Sequence, residues 1–344
     1  MRAITIQPGA AAPDLERGRI VITEDVKLGE RRVRKGHRLG MDDGPLLAAL
    51  DRPIHAVVLE PGDVHEDDAG ARLAAAVAGP GLAIRGPSFS RYNLVADTKG
   101  ILRVDPDALL RLNRLPGVAI FTLEDRIPVV PGKIVTGVKV TPVAVAEETL
   151  QQAETIAAER PVVQIAPFLP LRVGVISTEG PDWRVREKFQ ASVAQKIGWY
   201  GGSVMEFSDQ PRDAGAIAAE IERFAREGAD LVLAAGGSTI DPLDPTLRSL
   251  DLAGADLVRF GAPAHPGSMF WLAYRGALPI FNLASCSMFS KSTIADVVLP
   301  WIMTGERVAG DTLARLGYGG LLDRGMTHRF PPYDVAVVEE TGEE

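Results

Sequence analysis

From Leu171 onward, short apolar runs ending in small residues alternate with helical patterns, and this alternation most constrains the fold. Leu171-Arg172-Val173-Gly174-Val175-Ile176-Ser177 has the composition of a strand covered on both faces. A helix is expected over about Trp183 to Ile197 and a strand near Gly202 to Phe207. Another helix should follow Pro211, where Ile217, Ile221 and Phe224 recur at helical spacing and Gly228 closes the run. Asp230 to Ala235 and Pro279 to Leu283 read as further buried strands, with a helix at Ser290 to Met303. Such spacing means βαβ units, whose crossovers cover both faces of a mainly parallel sheet. The expected fold class is a three-layer α/β/α domain over residues 169–312, preceded by a smaller β-rich and α+β region.

The rest of the 344 residues divides less sharply. Residues 1–70 look β-rich, with strands at Ile20-Val21-Ile22 and Ala56 to Leu59 bounded by Gly, Pro and Asp. Between them lie a basic stretch, Arg31 to Arg38, and a short helical pattern at Leu46 to Leu50. The basic stretch reads as a solvated loop or hairpin, with contact to an anionic ligand as the other reading. Residues 71–168 form an α+β region. Its expected elements are a helix from Asp67 to Ala78, a strand near Leu94-Val95-Ala96, a helix at Pro106 to Leu112, strands at Val118 to Leu123 and Ile134 to Val140, and a helix at Val145 to Glu159. Ile165 to Pro170 carries two prolines and reads as a linker. Residues 313–344 form a C-terminal extension whose end, from Asp323, is expected to be a tail or a surface strand.

A formal net charge of −8 argues against sequence-independent nucleic-acid binding, which needs Lys and Arg to neutralise phosphates. A single cysteine, Cys286, excludes an intrachain disulfide framework and suits a reducing cytoplasm. The first residues lack the apolar run of a signal peptide, and no stretch approaches the ~18 apolar residues of a spanning helix. The expectation is a cytoplasmic protein with neither nucleic-acid nor membrane partners.

Ligands of open α/β sheets bind outside the carboxyl ends of the strands. Three such ends are rich in small or hydroxyl residues: Ser177-Thr178-Glu179-Gly180, Gly236 to Asp244, and Leu283 to Ser287. In the middle one, Gly236-Gly237 lets the backbone turn tightly, successive N–H groups can form an anion-holding nest, and Ser238 and Thr239 add hydroxyl donors. Asp241 and Asp244 are the candidate catalytic carboxylates, and Asp244 the candidate ligand for a Mg²⁺ bridging phosphates. The plainer reading is that Asp244-Pro245 caps a helix and Gly236-Gly237 is a turn.

Ala234-Ala235-Gly236-Gly237-Ser238-Thr239-Ile240-Asp241-Pro242-Leu243-Asp244-Pro245-Thr246 resembles the signature loop of the molybdopterin-binding domain, shared by molybdopterin adenylyltransferases and molybdenumtransferases. In that family a Gly-Gly pair precedes an Asp seven positions beyond the second Gly, as Asp244 follows Gly237 here. Pro242 and Thr246 match the adenylyltransferase form, and Thr239 falls on the Ser of the other. The resemblance covers Leu171 to Val308. It implies molybdopterin as ligand or substrate, with Mg²⁺ and ATP for adenylyl transfer, and Thr178, Pro266, Gly267, Ser285 and Ser287 as further binding residues. It also implies self-association and partners among molybdoenzymes or cofactor-assembly proteins. Two motifs depart from the family. Pro266-Gly267 is followed by Ser268-Met269 where a Lys-Pro is usual, and Leu283-Ala284-Ser285-Cys286-Ser287 replaces a Leu-Pro-Gly-Asn-Pro loop. The lost lysine and prolines bear on catalysis more than on binding.

In the N-terminal half, Gly62 to Asp67, Arg91-Tyr92-Asn93-Leu94, Gly100, Asn113 and Gly132-Lys133 with Lys139 resemble the region before this domain in bacterial molybdopterin-binding proteins. Arg91 and Asn93 are candidate ligand contacts. Cys286 reads as a core residue and His265 as part of a loop, and the five histidines lack metal-ligand spacing. Three functions follow as expectations: an enzyme of molybdenum cofactor assembly, a non-catalytic carrier that delivers molybdopterin, or a carrier or sensor of another phosphate-bearing small molecule. Fold alone does not choose among them.

Overall fold

The computed structural model describes residues 1–9, 18–28, 31–180, 184–236, 241–283, 287–288, 290–323 and 325–334. Six strands hydrogen-bond in the order Ser203–Asp209, Arg172–Ser177, Leu231–Ala235, Leu278–Leu283, Trp271–Arg275, Asp256–Phe260. The first four run parallel, and the last two join antiparallel. Side chains two apart on a strand share a face. Val173, Val175, Leu231, Leu233 and Ala235 accordingly bury against the helices Arg186–Trp199 and Ile294–Ile302. Ile176, Val232, Ala234 and Ile280 face the helices Ala214–Arg226 and Pro245–Leu252. This is the expected three-layer arrangement. Helix Ala214–Arg226 lies so close to the sheet that a Cβ on Gly174 would come within 2.6 Å of Phe224 Cγ.

The pair Trp271–Arg275 and Asp256–Phe260 was not expected, because an antiparallel return lies outside the βαβ alternation that marked the other strands. The last large helix starts at Ile294 rather than Ser290, since Thr293 caps it: the Asp296 carboxylate accepts both the N–H and the hydroxyl of Thr293. Beyond it, Leu313, Leu316, Leu322, Phe330 and Tyr333 are buried in the same cluster as Phe189 and Trp301. The stretch from Asp323, expected as a tail or surface strand, therefore contributes core side chains before residue 335, where the described residues end.

The N-terminal strands Arg2–Ile6, Ile54–Val58 and Ile20–Ile22 form an antiparallel sheet, and Val26–Leu28 pairs with Arg31–Val33 as a hairpin. The basic stretch thus begins in a hairpin strand. A second antiparallel sheet runs Val118–Thr122, Ile134–Val140, Arg91–Ala96, Leu82–Ser88. One of its faces is covered by helix Glu66–Val77, itself packed on Glu147–Ala158. Arg72 forks between Glu147 and Glu154 across those two helices, at 2.7–3.0 Å. The segment from Ile165, expected as a linker, opens inside strand Val163–Pro167, paired with Gly100–Val104. Arg103 and Arg126 both reach Glu306, at 2.9 and 2.6 Å, and Trp301 Nε1 donates to the Arg126 carbonyl. These contacts fasten the α+β region to the end of the Ile294–Ile302 helix. Among the described residues no helix is long and apolar enough to cross a membrane.

Candidate functional site

The carboxyl ends of the four parallel strands finish level. Ser177 sits in register with Asp209 on one side and Ala235 on the other, and Ala235 with Leu283. The Thr178 N–H donates to the Ala235 carbonyl at 3.0 Å and the Gln210 N–H to the Ser177 carbonyl at 2.8 Å, so the ladder runs to the rim. A row of loops leaves the sheet there, about 4.8 Å apart.

Two expected binding residues meet at its centre. Gly236 has φ +93°, and a Cβ on it would stand 2.5 Å from Thr178 Oγ1 and 3.0 Å from Glu179 Oε1. The absence of a side chain lets the turn close over Thr178. Thr178 is 8 % exposed, and its Oγ1 has no hydrogen-bond partner among the described residues. Leaving a buried hydroxyl unpaired costs about 1–3 kcal/mol, which a ligand oxygen accepting from it would offset. Gly237, Ser238, Thr239 and Ser285 lie outside the described residues.

Asp244 is 2 % exposed and caps helix Pro245–Leu252, Oδ1 accepting the Thr246 N–H at 2.9 Å. Its Oδ2 accepts from Arg212 Nη2 at 3.0 Å. Both oxygens thus face donors, and Mg²⁺ at this carboxylate would have to share it with a guanidinium. Asp241 is exposed, its Oδ1 accepts the Leu243 N–H at 2.9 Å, and its carbonyl accepts the Asp244 N–H at 3.0 Å. Among the described residues no group of three or more His, Cys, Asp or Glu side chains stands ready for a metal ion. Arg186, the first residue of its helix, pairs with Asp209 at the neighbouring strand end. The rim therefore carries Arg186 and Arg212, each steadied by one aspartate, two cations the sequence reading did not single out.

Pro266, Gly267 and Ser287 gather elsewhere, around the start of helix Ile294–Ile302. The Pro266 carbonyl accepts the Ile294 N–H at 3.2 Å, and Gly267 is buried against the Ile294 side chain. Ser287 is 2 % exposed, and its carbonyl accepts from Lys196 Nζ at 3.2 Å. Asn282 pins the approach, accepting the Trp271 N–H at 2.7 Å and donating to the Met269 carbonyl at 3.0 Å. Lys196 was also missed, although one signal was present. It falls three residues after Val193 and seven after Phe189, on the apolar face of its helix.

No protein-family model matches the sequence, and no curated protein matches it. Among solved structures, the chain is similar to the molybdopterin biosynthesis MoeA protein of Pyrococcus horikosii, at 13 % identity and TM-score 0.32, over 70 % of this chain and 79 % of that one. It is also similar to a putative molybdenum cofactor biosynthesis protein of Corynebacterium diphtheriae, at 12 % identity and TM-score 0.29, over 42 % and 98 % of the two chains. A third likeness is to the protein CinA, of unknown function, from Thermoplasma acidophilum, at 15 % identity and TM-score 0.27, over 34 % and 89 %.

Proposed function

We propose that the chain binds molybdopterin at the rim formed by Thr178 and Gly236, and serves molybdenum cofactor biosynthesis or delivery. The observation that carries this reading is the buried, unpartnered Thr178 hydroxyl beneath the side-chain-free Gly236, at strand ends that finish level. A phosphate oxygen accepts from that hydroxyl, and the resemblance of the Gly236 to Thr246 loop supplies the identity of the ligand. Asp244 acts here as helix cap and as the anchor of Arg212. With its oxygens so engaged, the geometry favours a carrier, handing molybdopterin to a molybdoenzyme or another assembly protein, over a transferase.

The test is titration of the full chain with molybdopterin, followed by addition of Mg·ATP and of molybdate. The expected result is saturable binding, weakened about tenfold (about 1.4 kcal/mol) in Thr178→Val, with a melting temperature no lower than wild type. Adenylylated or metallated product would replace the carrier with a transferase. No saturable binding, or equal binding by Thr178→Val, would overturn the assignment.

A further inference from the structure

The basic stretch of the N-terminal region faces a hollow of about 270 Å³, lined by Arg32, Arg34, Lys35 and His37, by Asp67 at the start of helix Glu66–Val77, and by Ser90 at a hairpin tip. Positive charge concentrated on a concave surface is anomalous in a chain of net charge −8. Three basic side chains of the stretch have carboxylate partners: Arg32 pairs with Asp25, His37 with Asp43 and Arg38 with Asp68. Arg34 and Lys35 have none within salt-bridge distance among the described residues. Arg34 instead lies over the Phe89 ring, 4.3 Å from its centroid.

The loop that carries these two cations is fixed in advance. The Gly36 N–H donates to the Ile22 carbonyl at 2.7 Å, the Ile22 N–H to the His37 carbonyl at 3.0 Å, and the Lys35 N–H to Asp25 Oδ1 at 3.0 Å. Gly36 has φ +84°, and a Cβ there would fall 2.3 Å from Glu66 Oε1, so another residue would strain the backbone and displace the Glu66 carboxylate. On the opposite wall Phe89 and Ser90 both take positive φ, 51° and 57°, and Phe89 remains 71 % exposed. A type I′ hairpin turn of two residues needs positive φ at both central positions, so the tip presenting Phe89 and Ser90 is set by the turn between Leu82–Ser88 and Arg91–Ala96.

The floor adds an acceptor. His65 Nε2 lies 2.8 Å from the Gly36 carbonyl and must donate to it, while Nδ1 accepts the Asp67 N–H at 3.2 Å. Asp67 Oδ2 stands 3.9 Å from His65 Nδ1. Asp67 Oδ1 has no hydrogen-bond partner among the described residues. A ligand here must therefore bring an anion for Arg34, Lys35 and the Ser90 hydroxyl, and hydroxyl donors for Asp67.

We propose that this hollow is a second binding site, for a small phosphorylated, hydroxyl-bearing metabolite of the sugar-phosphate class. Phosphate meets Arg34 and Lys35, and the sugar hydroxyls meet Asp67. The site is independent of the strand-end rim. Calorimetric titration of the full chain with ribose 5-phosphate, inorganic phosphate and ribose tests it. Ribose 5-phosphate should bind most tightly, inorganic phosphate more weakly, and ribose not at all. The double variant Arg34→Gln/Lys35→Gln should lose at least about tenfold for both phosphates. Asp67→Asn should bring ribose 5-phosphate down to the level of inorganic phosphate. The proposal is overturned by wild-type affinity in the double variant, by equal competition from sulfate, or by no saturation up to about 10 mM.

Discussion

Lys196 Nζ lies 2.7 Å from Asp296 Oδ1, with the two side chains only 5 % and 0 % exposed. The same ammonium donates to the carbonyls of Ser287 and Ser290, at 3.2 and 2.7 Å, and the other Asp296 oxygen caps Thr293. One ion pair thus joins helix Arg186–Trp199, the chain beyond strand Leu278–Leu283, and the start of helix Ile294–Ile302. Tyr333 extends the join to the C-terminal segment through a 2.8 Å hydrogen bond with Tyr200. Burial holds both phenols well above their ordinary range, and they stay neutral partners.

Removing one partner of a buried pair strands the other charge, which costs more than losing both. Lys196→Met should lower unfolding free energy by about 3–5 kcal/mol in urea titrations. Lys196→Met/Asp296→Asn should recover part of that loss. Additive losses in the double variant would show that the two side chains act separately.

Gly236→Ala places a Cβ against Thr178 Oγ1 and forces an L-residue to hold φ +93°. The backbone term alone is of order 1–3 kcal/mol, and the ligand turn should be displaced. Molybdopterin titration of Gly236→Ala should show lost binding. Gly236→Ala/Thr178→Ala should regain only the part of the stability lost to the clash, without regaining affinity, because the donor is gone and the backbone strain remains. Full binding by Gly236→Ala would place the ligand elsewhere.

Thr178 and Gly236 were legible in the sequence because each follows an apolar run, and a strand of both-face burial fixes where its loop begins. Arg212 and Lys196 were not, since the reach of a long side chain depends on which elements pack beside it. The antiparallel parts of the chain were dimmer for a related reason. Leu82–Ser88 contains Gly86-Pro87 and is half-exposed or exposed throughout, yet it pairs at a sheet edge, where proline is tolerated. Ile165 to Pro170 reads as a linker by its two prolines, but Pro167 occupies only the last position of strand Val163–Pro167.

Asp244 combines two roles that separate under substitution. Asp244→Ala removes the helix cap and the partner of Arg212, and should lower stability by about 1–2 kcal/mol. Asp244→Asn keeps a cap acceptor and loses the charge, so its stability should stay near wild type. Thermal melts of the pair check this, and equal destabilisation by both would make the Arg212 contact the main contribution.

Arg223 forks to Glu206, Glu220 and Glu227 at 2.8, 2.5 and 2.8 Å. Its guanidinium holds the Glu220 carboxyl below the usual range, against burial and with help from Ser208. A carboxyl whose pKa is depressed on folding contributes stability that is complete above its unfolded value, about 4.3, and that fades as pH falls through the folded one. Stability should therefore drop on acidification from about pH 5 towards pH 3, where the unfolded chain takes up the proton first. Glu220→Gln has no proton to gain, so it should be less stable than wild type at neutral pH and lose less over that interval. Melting temperatures measured in steps from pH 7 to pH 3 would show the two curves converging, and parallel curves would remove Glu220 from the acid response.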